Sequence, residues 1–181
     1  MKKTNIIPKI LFITGLPSSG KTTLALSLRE KIKELGINKI KYIDGDTFRK
    51  KFKLRKYDNK SRNLVGDKKI KFANTFLKLG KFVIVTGVAH NAAWRKKIKI
   101  RNKSIVEIYA KCPLKICKTR DYKRNYTKAK NKTIRNFIGF NQMYQEGKSV
   151  DLKLDTYRNT ISSNTKKIIK YLKIKKYVLS K

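Results

Sequence analysis

The chain has 181 residues, enough for one globular unit with a sizeable core and too few for two ordinary ones. Lys and Arg total 48 against 11 Asp and Glu, a formal charge of +37. That excess fits either a polyanion partner or a compositional bias toward lysine on solvated faces, and the even spread of lysines along the chain favours the second. Two cysteines (Cys112, Cys117) and one histidine (His90) exclude a structural zinc set, and the N-terminal stretch has no apolar run of signal-peptide or membrane-span length. A reduced, soluble, cytoplasmic protein without a membrane partner is the expectation.

Ile10 to Thr14 reads as a buried strand, followed by a Gly-rich turn and an amphipathic helix over Thr22 to Leu35. That helix offers Leu24, Leu26, Leu28 and Ile32 to the core and ends at Gly36. A strand at Ile40 to Ile43, a helix from about Ser61 to Leu79 closed by Gly80, and a strand at Phe82 to Thr86 come next. Ile105 to Ala110 is a further strand, Pro113 to Arg120 a short helix, and Thr160 to Leu172 a last helix before a short apolar Tyr177-Val-Leu. Strands separated by helices of this length require right-handed crossovers, hence a parallel sheet covered on both faces: three-layer α/β in a single domain over residues 1–181. From about Asp121 to Asp155 the alternation breaks into a polar, basic, aromatic-studded segment too long for an ordinary connection, which reads as a mobile lid.

Between the first strand and its helix the chain reads Gly15-Leu-Pro-Ser-Ser-Gly20-Lys21-Thr22, a G-x-x-x-x-G-K-[ST] phosphate loop in its required strand-to-helix setting. Gly15 and Gly20 allow the backbone to wrap phosphate oxygens, and Ser18, Ser19, Thr23 and the helix N-terminus add donors. Lys21 reaches the β- and γ-phosphates and the Thr22 hydroxyl ligates Mg²⁺, which makes ATP or GTP with Mg²⁺ the expected ligands of a P-loop fold. A guanine-reading Asn-Lys-x-Asp is missing, since Asn131-Lys132 is followed by Thr133-Ile134, so ATP and a small-molecule kinase are favoured over a GTPase switch.

After the second strand comes Asp44-Gly45-Asp46-Thr47-Phe48-Arg49, read either as a plain turn or as an acceptor site. In a doubly wound sheet this strand end lies at the ligand-binding carboxyl edge. Asp46 there can orient or deprotonate an attacking hydroxyl and touch the metal through water, and Arg49 can grip an acceptor phosphate.

These residues resemble the adenylylsulfate kinase family, whose D-G-D-x-x-R matches Asp44 to Arg49 and whose F-S-x-x-D-R matches Tyr57 and Arg62. Glu107 to Gln145 is similar to the family's strand, helix and lid, and Leu154-Asp155-Thr156 matches its L-D-T, so the likeness spans about residues 8 to 178. The resemblance implies transfer of the ATP γ-phosphate to the 3′-hydroxyl of adenosine 5′-phosphosulfate, the sulfate-activation reaction, and a homodimer. By the same likeness Tyr57 and Phe137 sandwich the acceptor base. Asp44, Arg49 and Arg62 then bind the acceptor with Lys128 and Arg135 from the lid, while Arg120 lies on the ATP side and Lys21 and Asp46 do the catalytic work. The match fails where the family shows F-I-S-P-Y-R and this chain has Thr86-Gly-Val-Ala-His-Asn-Ala-Ala-Trp-Arg95, where Val65 replaces an Asn, and where D-x-P-Y becomes Asn141-Gln-Met-Tyr144. All three departures are on the acceptor side. They leave open another acceptor, such as the cytidine diphosphoramidate used by an enzyme of similar build, with His90 and Asn91 either reading that acceptor or lying on plain surface. A basic nucleic-acid-binding P-loop protein is the remaining alternative.

Overall fold

The computed structural model describes residues 5–54, 56–148 and 150–179. Its main sheet has five parallel strands in the order β3-β4-β2-β5-β6: β2 is Ile10–Thr14, β3 Ile40–Ile43, β4 Phe82–Gly87, β5 Ile105–Lys111 and β6 Leu152–Asp155. The helices are α1 (Lys21–Glu34), α2 (Gly45–Lys51), α3 (Asn59–Lys78), α4 (Ala92–Arg101), α5 (Leu114–Thr119), α6 (Asn125–Lys130) and α7 (Ile161–Ile174). The predicted three-layer α/β architecture is therefore present. No helix of the described residues is long and apolar enough to cross a membrane.

The run ILFIT of β2 is apolar almost without interruption because both of its faces are covered. Leu11 and Ile13 join Ile84, Val106 and Ile108 under α1 and α7, whereas Ile10 and Phe12 join Val83, Val85 and Ile105 under α3 and α4. Each such fully buried aliphatic contributes about 1.5–3 kcal/mol relative to exposure. On the second face Trp94 lies against Gly66, where a Cβ would come within 2.3 Å of the indole, and its Nε1 donates to Asp67. Beneath it Arg95 is fully buried and paired with Glu107 at 2.6 Å, and its guanidinium also donates to the carbonyls of Ala89 and Gln145.

Several expectations change. Leu26 is 38% exposed and Ala25 takes its place in the core, because the inner stripe of α1 follows Leu24, Ala25, Leu28 and Ile32. Asp44-Gly45-Asp46 is no plain turn: Asp44 caps α2, accepting from the backbone N–H groups of Asp46 and Thr47. α3 starts at Asn59 rather than Ser61 because Asp58 caps it through the Ser61 N–H. α4 was not anticipated, and Asn91 caps it by accepting from the Trp94 N–H. The terminal apolar residues pair antiparallel as β7 (Val178–Leu179) with β1 (Asn5–Ile6).

The segment predicted as a lid over 121–155 is only partly irregular. It holds α6, and its end is β6, a strand of the main sheet in register with Ile108 to Lys111. Its middle is tied down in two places. A satellite cluster packs Tyr126, Ala129 and Phe137 on Cys112 and Cys117, with Leu16 of the phosphate loop against it. Tyr144 stacks on Tyr109 at 5.1 Å and donates to the Thr14 hydroxyl at 2.9 Å.

Gly66→Val must push Trp94 out of its slot, and the overpacking is expected to cost about 2–3 kcal/mol. Urea unfolding followed by the fluorescence of Trp94, the chain's single tryptophan, should show a lower midpoint at unchanged slope.

Candidate active site

At the carboxyl end of β2 the backbone turns so tightly that Gly15 adopts φ 146°, and a Cβ there would stand 2.6 Å from the Ala110 carbonyl oxygen. Gly20, at φ 85°, precedes α1 without capping it through a side chain, and no acid sits in the first turn. The N–H groups of that turn are thus left for an anionic ligand. The Ser19 hydroxyl is buried inside the loop, beside Gly15, without a hydrogen-bond partner among the described residues. Lys21 donates to the Leu16 carbonyl, and burial pushes its ammonium down to about 8 against the opposing pull of Cys117, Asp46 and Asp44. Thr22 and Thr23 are exposed at the mouth. Thr156, after β6, closes the back by donating to the Ser19 carbonyl, and Arg120 donates to the Thr156 carbonyl, beside the loop. The Ser18 hydroxyl reaches Asp121 at 3.4 Å. These residues fit a nucleoside triphosphate.

At the end of β3 the two acids have different surroundings. Asp44 Oδ1 accepts from the N–H groups of Asp46 and Thr47 and from the Thr47 hydroxyl, while Oδ2 accepts from the hydroxyls of Tyr42 and Thr86. Burial pushes the Asp44 carboxyl up, but the Thr47 and Thr86 bonds outweigh it and hold the group below its usual range. Five donors saturate a carboxylate. Asp46, one residue into α2, is exposed and pairs with Lys123 at 2.7 Å. The Tyr42 hydroxyl also lies within reach of the Thr22 hydroxyl and so links the acid turn to the phosphate loop; burial raises its pKa. No group of three His, Cys, Asp or Glu side chains among the described residues forms a metal cage. A Mg²⁺ ion here would rely on Thr22, nucleotide oxygens and water beside the acids, as is usual for that ion.

Beyond the acid turn Arg49 and Arg62 both lie over the ring of Tyr57, at 4.3 and 5.2 Å from its centroid. Arg49 donates to the carbonyls of Leu54 and Lys56, and Arg62 to those of Tyr57 and Asn136. Arg62 therefore ties the Tyr57 segment to the residue preceding Phe137. Burial lowers the Arg49 pKa, and burial with Arg49 nearby brings Arg62 to about 10. Phe137 is 9% exposed and packs edge-on against Tyr126 at 4.9 Å, so its ring is mostly committed to the satellite cluster, while Tyr57 is open to solvent. Lys128 and Arg135 are exposed on the segment above. His90 is not a surface residue: it is 6% exposed, bonded to Asn59 at 2.9 Å, and its pKa is lowered by burial and by Arg62 and Arg95.

Sequence reasoning missed Tyr42, Thr86, Lys123 and Lys69. Lys69 alone left a signal, because it falls on the apolar stripe Val65, Lys69, Ala73 at four-residue spacing, where a lysine is out of place.

Residues 7–155 match the family model for adenylylsulphate kinase. An adenylyl-sulfate kinase from Clostridium acetobutylicum is 32% identical over 169 residues, covering 91% of this chain and 82% of that one. A cytidine diphosphoramidate kinase from Campylobacter jejuni is 34% identical over 169 residues, covering 91% and 96%. The solved structure of the Mycobacterium tuberculosis APS kinase CysC in complex with AMPPNP and APS superposes with a TM-score of 0.85 at 26% identity over 93% of this chain and 99% of that one. With its phosphate loop, its capped acid turn and the arginine pair over Tyr57 in place, this chain belongs to the adenylylsulphate kinase family of P-loop nucleotide-binding phosphotransferases.

Proposed function

We propose that the protein transfers the γ-phosphoryl group of ATP to the 3′-hydroxyl of adenosine 5′-phosphosulfate, giving 3′-phosphoadenylyl sulfate. The observation that supports this reading most is the division of labour at the β3 end. Asp44 is consumed by five internal donors, whereas the Asp46 carboxylate makes one exposed pair and has oxygens to spare. Asp46 orients the 3′-hydroxyl and takes its proton, and Lys123 keeps that carboxylate near the mouth.

Lys21 and the loop N–H groups spread the charge of the transferring phosphoryl, and Thr22 would hold a Mg²⁺ ion, which would supply further charge neutralisation there. Arg49 and Arg62 hold the anionic end of the acceptor while Tyr57, whose ring is open to solvent where Phe137 is packed on Tyr126, stacks on its base. The segment bearing Lys123, Lys128 and Arg135 excludes water from the reacting groups. A homodimer in the cytoplasm belongs to the same reading.

A second acceptor, cytidine diphosphoramidate, is favoured by the likeness to the Campylobacter kinase and by the loop after β4, which buries His90 against Asn59 instead of presenting Ser and Pro. A screen of ADP release with ATP and Mg²⁺ against both acceptors separates the two. ADP release at the same rate without any acceptor overturns the kinase reading. A steep salt-dependent affinity for RNA or DNA would favour the polyanion alternative.

Lys21→Ala is expected to lower acceptor-dependent ADP release at least 10²-fold, as loss of one transition-state donor does. Asp46→Asn should lower kcat about 10²–10⁴-fold with the KM for ATP little changed, which initial-rate kinetics checks.

Because the free protein holds Lys21 at about 8 and a triphosphate favours its charged form, AMPPNP affinity should be full below pH 7. It should fall by up to about tenfold per pH unit as pH rises through 8 to 9. Calorimetric titration of wild type against Lys21→Met, which should be flat over that window, tests the sign.

A further inference from the structure

Lys69 is a buried cation that the phosphate loop, the acid turn and the arginines leave unused. It projects from α3 into the crevice between the ends of β3 and β4 and is 6% exposed. Its ammonium donates to the Thr86 carbonyl at 3.1 Å, and the ring of Phe12 lies 5.9 Å away. No carboxylate of the described residues pairs with it. Two of its three N–H donors therefore remain for another partner, and an uncompensated buried ammonium is costly.

The crevice is built for it by two glycines. A Cβ on Gly87 would lie 2.4 Å from the Lys69 Nζ, and one on Gly45 would lie 3.5 Å from it. Gly87 adopts no backbone conformation that demands glycine, so its lack of a side chain makes room for the ammonium. Burial lowers the Lys69 pKa most, and Arg49, Asp44, Asp46 and Lys21 are the charged groups whose fields reach it.

We propose that Lys69 is an acceptor-binding residue whose ammonium, together with the Arg49 guanidinium, grips the phosphate or phosphoanhydride group at the 5′ end of the acceptor nucleotide. The pair Lys69 and Gly87 replaces contacts that the altered loop after β4 no longer offers, and it tunes the site for an acceptor with dense negative charge next to the nucleoside. This rests on the kinase reading for the word acceptor, but anion binding at Lys69 can be tested without turnover.

The test uses full-length protein loaded with AMPPNP and Mg²⁺, in wild-type, Lys69→Met and Gly87→Ala forms. Calorimetry is run with three probes: adenosine 5′-phosphosulfate, cytidine diphosphate and inorganic pyrophosphate. Lys69→Met keeps the length of the side chain and removes a buried charge, so its melting temperature should equal or exceed that of wild type near neutral pH.

The tightest-binding probe should lose tenfold or more in affinity in Lys69→Met, while AMPPNP binding stays within twofold. Gly87→Ala, which displaces the ammonium but keeps the lysine, should reproduce the loss. Burial holds Lys69 at about 8 in the free protein. An anion beside it restores the charged form, so wild type should take up protons on binding the probe at pH 8, and Lys69→Met should take up markedly fewer.

The proposal is wrong if no probe binds wild type more tightly than Lys69→Met, or if AMPPNP loses as much affinity as the probe. Absence of acceptor-dependent ADP release with these binding results intact would sink the kinase reading and leave the anion site standing.

Discussion

The site depends on how closely one stretch of backbone can approach another. Gly15 packs against the Ala110 carbonyl at a distance no Cβ could share, and that contact sets where the loop of residues 15–20 begins its turn around a phosphate. The contact exists because β2 and β5 are parallel neighbours, with Thr14 opposite Tyr109, so the end of one strand meets the end of the other. From this edge the rest follows. β3 and β4 deliver the acid turn and Thr86 to the other side of the same crevice, and Thr156, just past β6, locks the back of the loop.

Electrostatics give the crevice its purpose. Lys21, Lys69, Arg49 and Arg62 all have pKa values lowered by burial, which means the fold has brought four cations partly out of water. Of the nearby acids, Asp44 is saturated by hydroxyl and amide donors, Asp46 is paired with Lys123, and Asp58 caps α3 through Ser61. Such a cluster carries more positive than negative charge and suits an anionic nucleotide. Burial also separates two lysines from the chain's general excess of them: most are exposed, and the two that are pushed to about 8 face the crevice.

The middle of the segment over the mouth is held at two places by different chemistry. Tyr126 and Phe137 bury apolar area against Cys112 and Cys117, while Tyr144 and Gln145 engage Thr14, His90, Ala92 and the buried Arg95. Arg95 and Glu107 form a fully buried pair whose geometry is completed by backbone carbonyls, so they anchor the second place to the sheet rather than take part in transfer. Within the first of these places, between Tyr126 and Phe137, Lys128 and Arg135 face solvent.

Local chemistry was enough to write down much of this protein from its residues. The buried strands, the long helices, the G-x-x-x-x-G-K-T loop and the D-G-D-x-x-R turn are contiguous patterns, and hydrophobic periodicity and turn chemistry act over a few residues. The strand Leu152–Asp155 was hidden because it is a short edge element among charged neighbours, and its pairing with Ile108 to Lys111 is a partnership across the chain. The same holds for His90 with Asn59, for Tyr42 with Thr86, and for Lys69 in the space Gly87 vacates: each joins residues on different segments, and no local pattern of sequence links the two members. The sequence by itself determined the phosphate chemistry and the layer architecture, since both are local. The tertiary structure decided which acid is spent as a cap, which aromatic is core and which lysine is buried, because burial and partnership are properties of packing.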